Sequence, residues 1–158
     1  MSIFNLLNYE CDFFEVYFLC MDNLRSVAAT ILVNKEGEYL IVKKPRKNHA
    51  WQFPQGGVEE GETLLEGTQR ELYEECGAGL NVEFSDEPVG EYSYLFPTDF
   101  KRHDEHIMGA KVKFFRAEFV SGDIQLESEE LEDYKWVRKE ELKDYFEGEY
   151  LEKIEKLL

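Results

Sequence analysis

Glu71, Glu74 and Glu75 stand three and four positions apart, directly after Arg70. Those are the separations at which side chains meet on a helix. Like charges at this spacing destabilise a helix slightly, and near its C-terminus they also oppose the macrodipole. Some compensation is expected. Clustered carboxylates suit Mg²⁺ or Mn²⁺, hard ions that take oxygen ligands. Cations held there would in turn hold an anionic substrate. A solvated acidic face is the alternative reading of the same glutamates.

The element that must carry them reads as a helix from Thr63 to Cys76. Thr63 and Glu66 fit a capping box, which satisfies the first free amides. Leu65, Leu72 and Cys76, with Thr68 between them, form the expected buried stripe. Gly67 costs about 1 kcal/mol relative to Ala in a helix interior, so another backbone is expected close by. Gly77 and Gly79 stop the helix. Upstream, Ser26 to Asn34 and Tyr39 to Lys44 read as a hairpin around KEGEY. Then come the polar loop PRKNHA and a short extended WQFP, after which Gly56 and Gly57 are expected to turn the chain. Downstream, Val89 to Phe96, Ala110 to Val120 and Tyr134 to Val137 read as strands, and EELKDYF and YLEKIEKLL as two terminal helices. The fold class is α/β, a mixed sheet between helices.

The chain has 158 residues, the size of one domain. Hydrophobic residues at 43% and aromatics at 15% supply a core and exclude disorder. Asp and Glu total 34 against 18 Lys and Arg, a formal charge of -16. That charge repels phosphate backbones and argues against a broad nucleic-acid surface. Cys11, Cys20 and Cys76 show no C-x-x-C pattern, which favours a reducing compartment. Residues 1–24 are apolar but interrupted by Asn5, Asn8, Glu10, Asp12 and Glu15, which argues against a membrane span. No positive n-region marks a secretory signal, and no Arg precedes Arg25. This segment is expected to cover the core or a partner, a homodimer contact included, ahead of a domain spanning 25–158.

Gly56 to Ala78 is similar to the Nudix box, G-x5-E-x7-R-E-U-x-E-E-x-G-U with U a bulky aliphatic. The matches are Gly56, Glu62, Arg70, Glu71, Leu72, Glu74, Glu75 and Gly77, and Ala78 is smaller than the pattern asks. The resemblance implies a Nudix-type α/β/α sandwich with a loop–helix–loop catalytic motif. It also implies metal-dependent hydrolysis of a nucleoside diphosphate linked to another group. By similarity, Glu71, Glu74 and Glu75 bind Mg²⁺ or Mn²⁺ with a carbonyl near Gln55 or Gly56, and Arg70 orients the glutamates through Glu62. A further acid or base commonly comes from a late loop, where Glu130 is the candidate and Glu129 its neighbour.

WQFPQGG (Trp51 to Gly57) resembles the segment found in dinucleoside polyphosphate hydrolases and RNA pyrophosphohydrolases. Just before it, Lys43, Lys44, Arg46, Lys47 and His49 form the one dense basic cluster. With Gln55, the residues Lys43, Arg46 and His49 are candidates to receive substrate phosphates; exposed hairpin lysines are the alternative. Tyr92, Tyr94 and Phe96 alternate on one strand face, either to stack a base, with Tyr92 the leading candidate, or as core. The expected partner is a nucleotide or nucleotide-capped substrate, and the expected location intracellular and cytoplasmic. The distal half also resembles a Nudix-derived protein of the mitochondrial large ribosomal subunit. Members of that group have commonly lost the box glutamates, and this chain keeps them. That likeness implies, as the alternative, a non-catalytic mitochondrial ribosomal subunit.

Overall fold

The computed structural model describes residues 23–97, 104–126 and 129–158. Most of the N-terminal segment, residues 1–22, lies outside the described residues. In chain order the elements are β1 (Leu24–Val33), β2 (Tyr39–Lys43), β3 (Trp51–Gln52), β4 (Gln55–Gly57) and α1 (Leu64–Cys76). They continue with β5 (Asn81–Phe84), β6 (Gly90–Leu95), β7 (Gly109–Ser121), β8 (Asp133–Val137), a 3-10 helix (Lys139–Asp144) and α2 (Gly148–Glu155).

β1 is the spine because its sequence is apolar on both faces. Val27, Ala29, Ile31 and Val33 point into one core cluster with Phe53, Phe114, Leu142, Phe146 and Ile154. Leu32 points the other way, to Leu40, Val42, Leu72, Cys76 and Ala117. A strand covered on both sides needs this near-continuous hydrophobic run rather than alternation. The two clusters are the two interfaces of a sandwich, with α1 on one face of the sheet and the C-terminal helices on the other. Burying a side chain such as Leu72 contributes about 1.5–3 kcal/mol.

β7 lies parallel to β1 in unbroken register from Leu24↔Gly109 to Val33↔Glu118. The other edge of β1 is shared by β2, joined at Val33↔Tyr39, and by β4, paired antiparallel at Val27↔Gly57 and Ala28↔Gly56. β2 also pairs antiparallel with β3 and β8. β5 and β6 occupy the two ends of the outer edge of β7. The sheet is mixed, as expected. No helix among the described residues is long and apolar enough to cross a membrane.

Three expectations are corrected. Gly56 and Gly57 do not turn the chain; they form β4. Their lack of a side chain serves close approach instead: a Cβ would fall 1.9 Å from the Glu71 carboxylate carbon at Gly56, and 2.1 Å from an Arg25 nitrogen at Gly57. The buried face of α1 carries Gly67, Thr68, Leu72, Glu75 and Cys76, while Leu65 is only half-buried. The first terminal helix is a six-residue 3-10 turn anchored by buried Leu142. The expected approach at Gly67 is present, with Val58 Cα 3.6 Å from where a Cβ would sit.

Candidate active site

The helix that carries the glutamates is fixed at both ends. The Glu66 N–H donates to Thr63 Oγ1 at 3.2 Å, and the Thr63 N–H donates to Glu66 Oε2 at 2.8 Å. This is the capping box the sequence specifies. At the other end Gly77, with φ 122, lets its N–H reach the Tyr73 carbonyl at 3.0 Å.

Arg70 ties the acidic residues together. Its guanidinium forks onto Glu62, Nε to Oε1 at 2.6 Å and Nη2 to Oε2 at 3.1 Å. Nη1 donates to Glu71 at 2.9 Å and Glu74 at 3.1 Å, and Nη2 also reaches the Gly57 carbonyl at 2.8 Å. A planar fork of donors can do this; an ammonium cannot. The bonds from Arg70, followed by the N–H of Glu59, hold the Glu62 carboxyl below the usual carboxylate range. In return the bonds to Glu62 raise Arg70, which stays charged.

Glu75 is different, for its side chain is only 5% exposed. Lys44 Nζ lies 2.9 Å from Glu75 Oε1, and the Gln55 N–H donates to Oε2 at 3.1 Å. Burial pushes the Glu75 carboxyl up, and the Lys44 charge and these two hydrogen bonds oppose that push. Burial is the largest single influence on Lys44 and would lower it, yet the charges and hydrogen bonds of Glu75 and Glu130 together outweigh it and the net shift is upward. Both directions follow from one buried ion pair, in which desolvation and attraction compete. The same ammonium reaches Glu130 Oε2 at 3.1 Å.

These groups line one open cavity of about 910 Å³. Its acidic side holds Glu71, Glu74, Glu75, Glu59, Asp104 and Glu130, and its basic groups are Arg25, Lys44, Arg46 and Arg70. Tyr94 and Phe96 form an aromatic wall with their rings 5.9 Å apart. Burial raises the Tyr94 phenol, while the charges of Arg46 and Arg25 pull it back. Arg46 is braced by the His49 carbonyl at 2.7 Å and Gln52 Oε1 at 3.0 Å.

The donor set fits a hard divalent ion. It offers only oxygens on this wall, and Glu71 packs directly against the Gly56 backbone. Among the described residues, no three Asp, Glu, His or Cys side chains already converge as a finished cage. Arg70 and Lys44 hold the carboxylates instead.

Of the candidates read from sequence, Arg70, Glu71, Glu74, Glu75, Glu130, Gly56, Gln55 and Arg46 meet in the cavity. Lys43, His49 and Tyr92 are not among the lining residues. Lys43 turns outward to Glu132 at 3.0 Å. His49 is exposed and pairs with Glu147 at 3.2 Å. Tyr92 packs on the core beside Tyr150, with the rings 5.8 Å apart. Lys44 is in the basic cluster but not among the candidate phosphate contacts, and of the aromatic row Tyr94 and Phe96, not Tyr92, line the cavity. Arg25 and Asp104 carry no local motif. Arg25 could have been found through strand alternation, since it lies two residues before Val27 and both line the cavity.

Residues 23–157 match the model of the NUDIX domain family. The chain is 35% identical over 124 residues to the RNA pyrophosphohydrolase of Shewanella baltica (strain OS155 / ATCC BAA-1091), covering 73% of this chain and 71% of that one. It is 37% identical over 97 residues to the RNA pyrophosphohydrolase of Psychrobacter sp. (strain PRwf-1), covering 60% and 56%. In structure it resembles the MutT protein of Methanosarcina mazei Go1, with TM-score 0.66 and 21% identity over 85% of this chain and 92% of that one. It also resembles a C. elegans Ap4A hydrolase in a binary complex, with TM-score 0.62, 22% identity and coverage of 85% and 92%. The chain belongs to the NUDIX family.

Proposed function

We propose that this NUDIX pyrophosphohydrolase cleaves a phosphoanhydride bond in a nucleoside polyphosphate bearing a second group. The leading substrate is a 5′-phosphorylated RNA end, followed by a dinucleoside polyphosphate. Mg²⁺ or Mn²⁺ would be held by Glu71, Glu74 and Glu75 with the Gly56 backbone. The observation that carries this reading is the Arg70 fork, which is anchored on Glu62 and gathers Glu71 and Glu74 onto a cavity shared with Arg25, Arg46 and Tyr94. The 35% identity to an RNA pyrophosphohydrolase supports the substrate class.

A divalent ion here would neutralise phosphate charge and lower the pKa of a water. The chain supplies the rest. Arg70 fixes the direction of the glutamates, so little reorganisation is needed when charge develops. Arg25 and Arg46, which line the same cavity as the acidic helix, receive phosphate oxygens, and Tyr94 with Phe96 offers a base its stacking face. Glu130 stands at the mouth, its side chain 78% exposed, where it takes the proton of the attacking water. The water oxygen bonds to phosphorus, the bridging P–O bond breaks, and the leaving phosphate carries away the bond's electrons. The formal charge of -16 keeps the body of a long RNA off the surface, so contact concentrates at its 5′ end.

A substrate screen tests this reading. Triphosphorylated RNA, diadenosine polyphosphates and nucleotide sugars are incubated with Mg²⁺ or Mn²⁺, and products are read by mass. The expected result is conversion of the RNA 5′ end to a monophosphate. Glu74→Gln should lower turnover at least about a hundredfold, the scale of a misplaced catalytic contact, with an unchanged melting profile. Full activity in that variant would overturn the assignment. Co-sedimentation with large ribosomal subunits and no hydrolysis of any substrate would favour the structural alternative.

A further inference from the structure

Both oxygens of the buried Glu75 carboxylate are already engaged. Oε2 takes the Gln55 N–H, a backbone donor held in β4 by its pairing with β1. Oε1 takes the Lys44 ammonium, which sits on a flexible stem. The two partners are therefore unequal: the amide cannot leave without breaking the strand, but the ammonium can. Lys44 also has a second carboxylate partner in Glu130, farther toward solvent. The other side of the acidic cluster is served by Arg70, whose fork on Glu62 and bond to the Gly57 carbonyl anchor it whether or not Glu71 and Glu74 stay with it.

We propose that Lys44 is a resident counter-cation for Glu75: it holds this carboxylate in place on the cavity wall, and yields it to an arriving divalent ion. On loading, the ammonium gives up Oε1 and retains Glu130, which moves one positive charge from the helix wall toward the cavity mouth. Lys44 is thus a positioning residue that competes with the metal. This rests on the functional reading above, because it takes Glu75 as a metal ligand. The physical ground is that a buried carboxylate with no cation beside it is costly, whereas two cations on one carboxylate oxygen repel.

The test is Mn²⁺ titration by calorimetry, without substrate, of the unmodified chain, Lys44→Met and Lys44→Arg. The expected result is that Lys44→Met binds Mn²⁺ at least about fivefold tighter, the scale of one lost charge contact. Its metal-free form should melt lower and gain more from Mn²⁺ than the unmodified chain. Lys44→Arg should stay close to the unmodified chain. A merely structural lysine would weaken Mn²⁺ binding when removed, and unchanged or weaker binding in folded Lys44→Met overturns the inference alone. No Mn²⁺ binding by the unmodified chain overturns the functional reading and this inference with it. If Lys44→Met fails to fold, acylation of the unmodified chain by a succinimidyl ester decides. Lys44 should become more reactive on Mn²⁺ loading while exposed Lys35 does not change, and a constant Lys44 signal overturns the proposal.

Discussion

Replacing Gly56 by Ala places a methyl group where the Glu71 carboxylate now lies. A Cβ there would sit 1.9 Å from Glu71 Cδ and 2.1 Å from each of its oxygens. Favourable contact begins near about 3.5 Å, so the carboxylate must retreat by roughly 1.5 Å. Gly56 is not among the positive-φ glycines, so its backbone accepts a side chain. Holding Glu71 about 30° off its rotamer to clear the methyl costs about 0.5–1.5 kcal/mol. Reduced freedom of the unfolded chain returns about 0.4–1 kcal/mol. The two nearly cancel, and Arg70 keeps Glu62 and the Gly57 carbonyl throughout. Stability should therefore change by no more than about 1 kcal/mol. Activity should fall far more, since a 1 Å misplacement costs on the order of a hundredfold. Thermal denaturation followed by circular dichroism and steady-state turnover of triphosphorylated RNA measure the two effects side by side. A variant with undiminished kcat would refute the claim that the position of Glu71 against Gly56 matters to the chemistry. A variant that no longer folds would refute the claim that only a side-chain end must move.

Gly57→Ala is the companion change: its Cβ would lie 2.1 Å from Arg25 Nη2, so it should raise KM through the displaced guanidinium while kcat changes less. A kcat loss equal to that of Gly56→Ala would contradict a substrate-binding role for Arg25. Cys76 is free, fully buried and has its thiol pushed up by burial, with the Glu75 charge adding to the shift. It should resist alkylation in the native protein and react only after denaturation, as read by mass on the peptide that contains it; rapid native labelling would contradict the packing of α1 on the sheet.

The acidic helix was legible because its information is local. Thr63 with Glu66, the glutamate spacing and Gly77 are all within one short stretch, and each makes the contact its residue type implies. The rest of the cavity lining, proposed to meet substrate, was harder to read because it depends on which way a side chain points. Lys43 and Lys44 are neighbours, and successive strand residues face opposite sides. One therefore meets Glu132 outside and the other Glu75 inside. Along β6 and one residue past it the row Tyr92, Tyr94 and Phe96 shares a face, but α2 covers its first member through Tyr150 and leaves the other two on the cavity. Arg25 reaches the site through the pairing of β1 with β4, which joins segments far apart in sequence. β5 was not anticipated because Asn81 to Phe84 is four residues long with no fully buried side chain. Gly56 and Gly57 resembled a turn because glycine serves close approach as readily as it serves bends.

The most direct measurement is anomalous scattering from crystals grown with Mn²⁺ and a non-hydrolysable analogue of a triphosphate end. The account predicts manganese bounded by Glu71, Glu74 and Glu75, with analogue phosphates between it and Arg25 or Arg46. Carboxylates still held by Arg70 and Lys44, with manganese elsewhere, would contradict it.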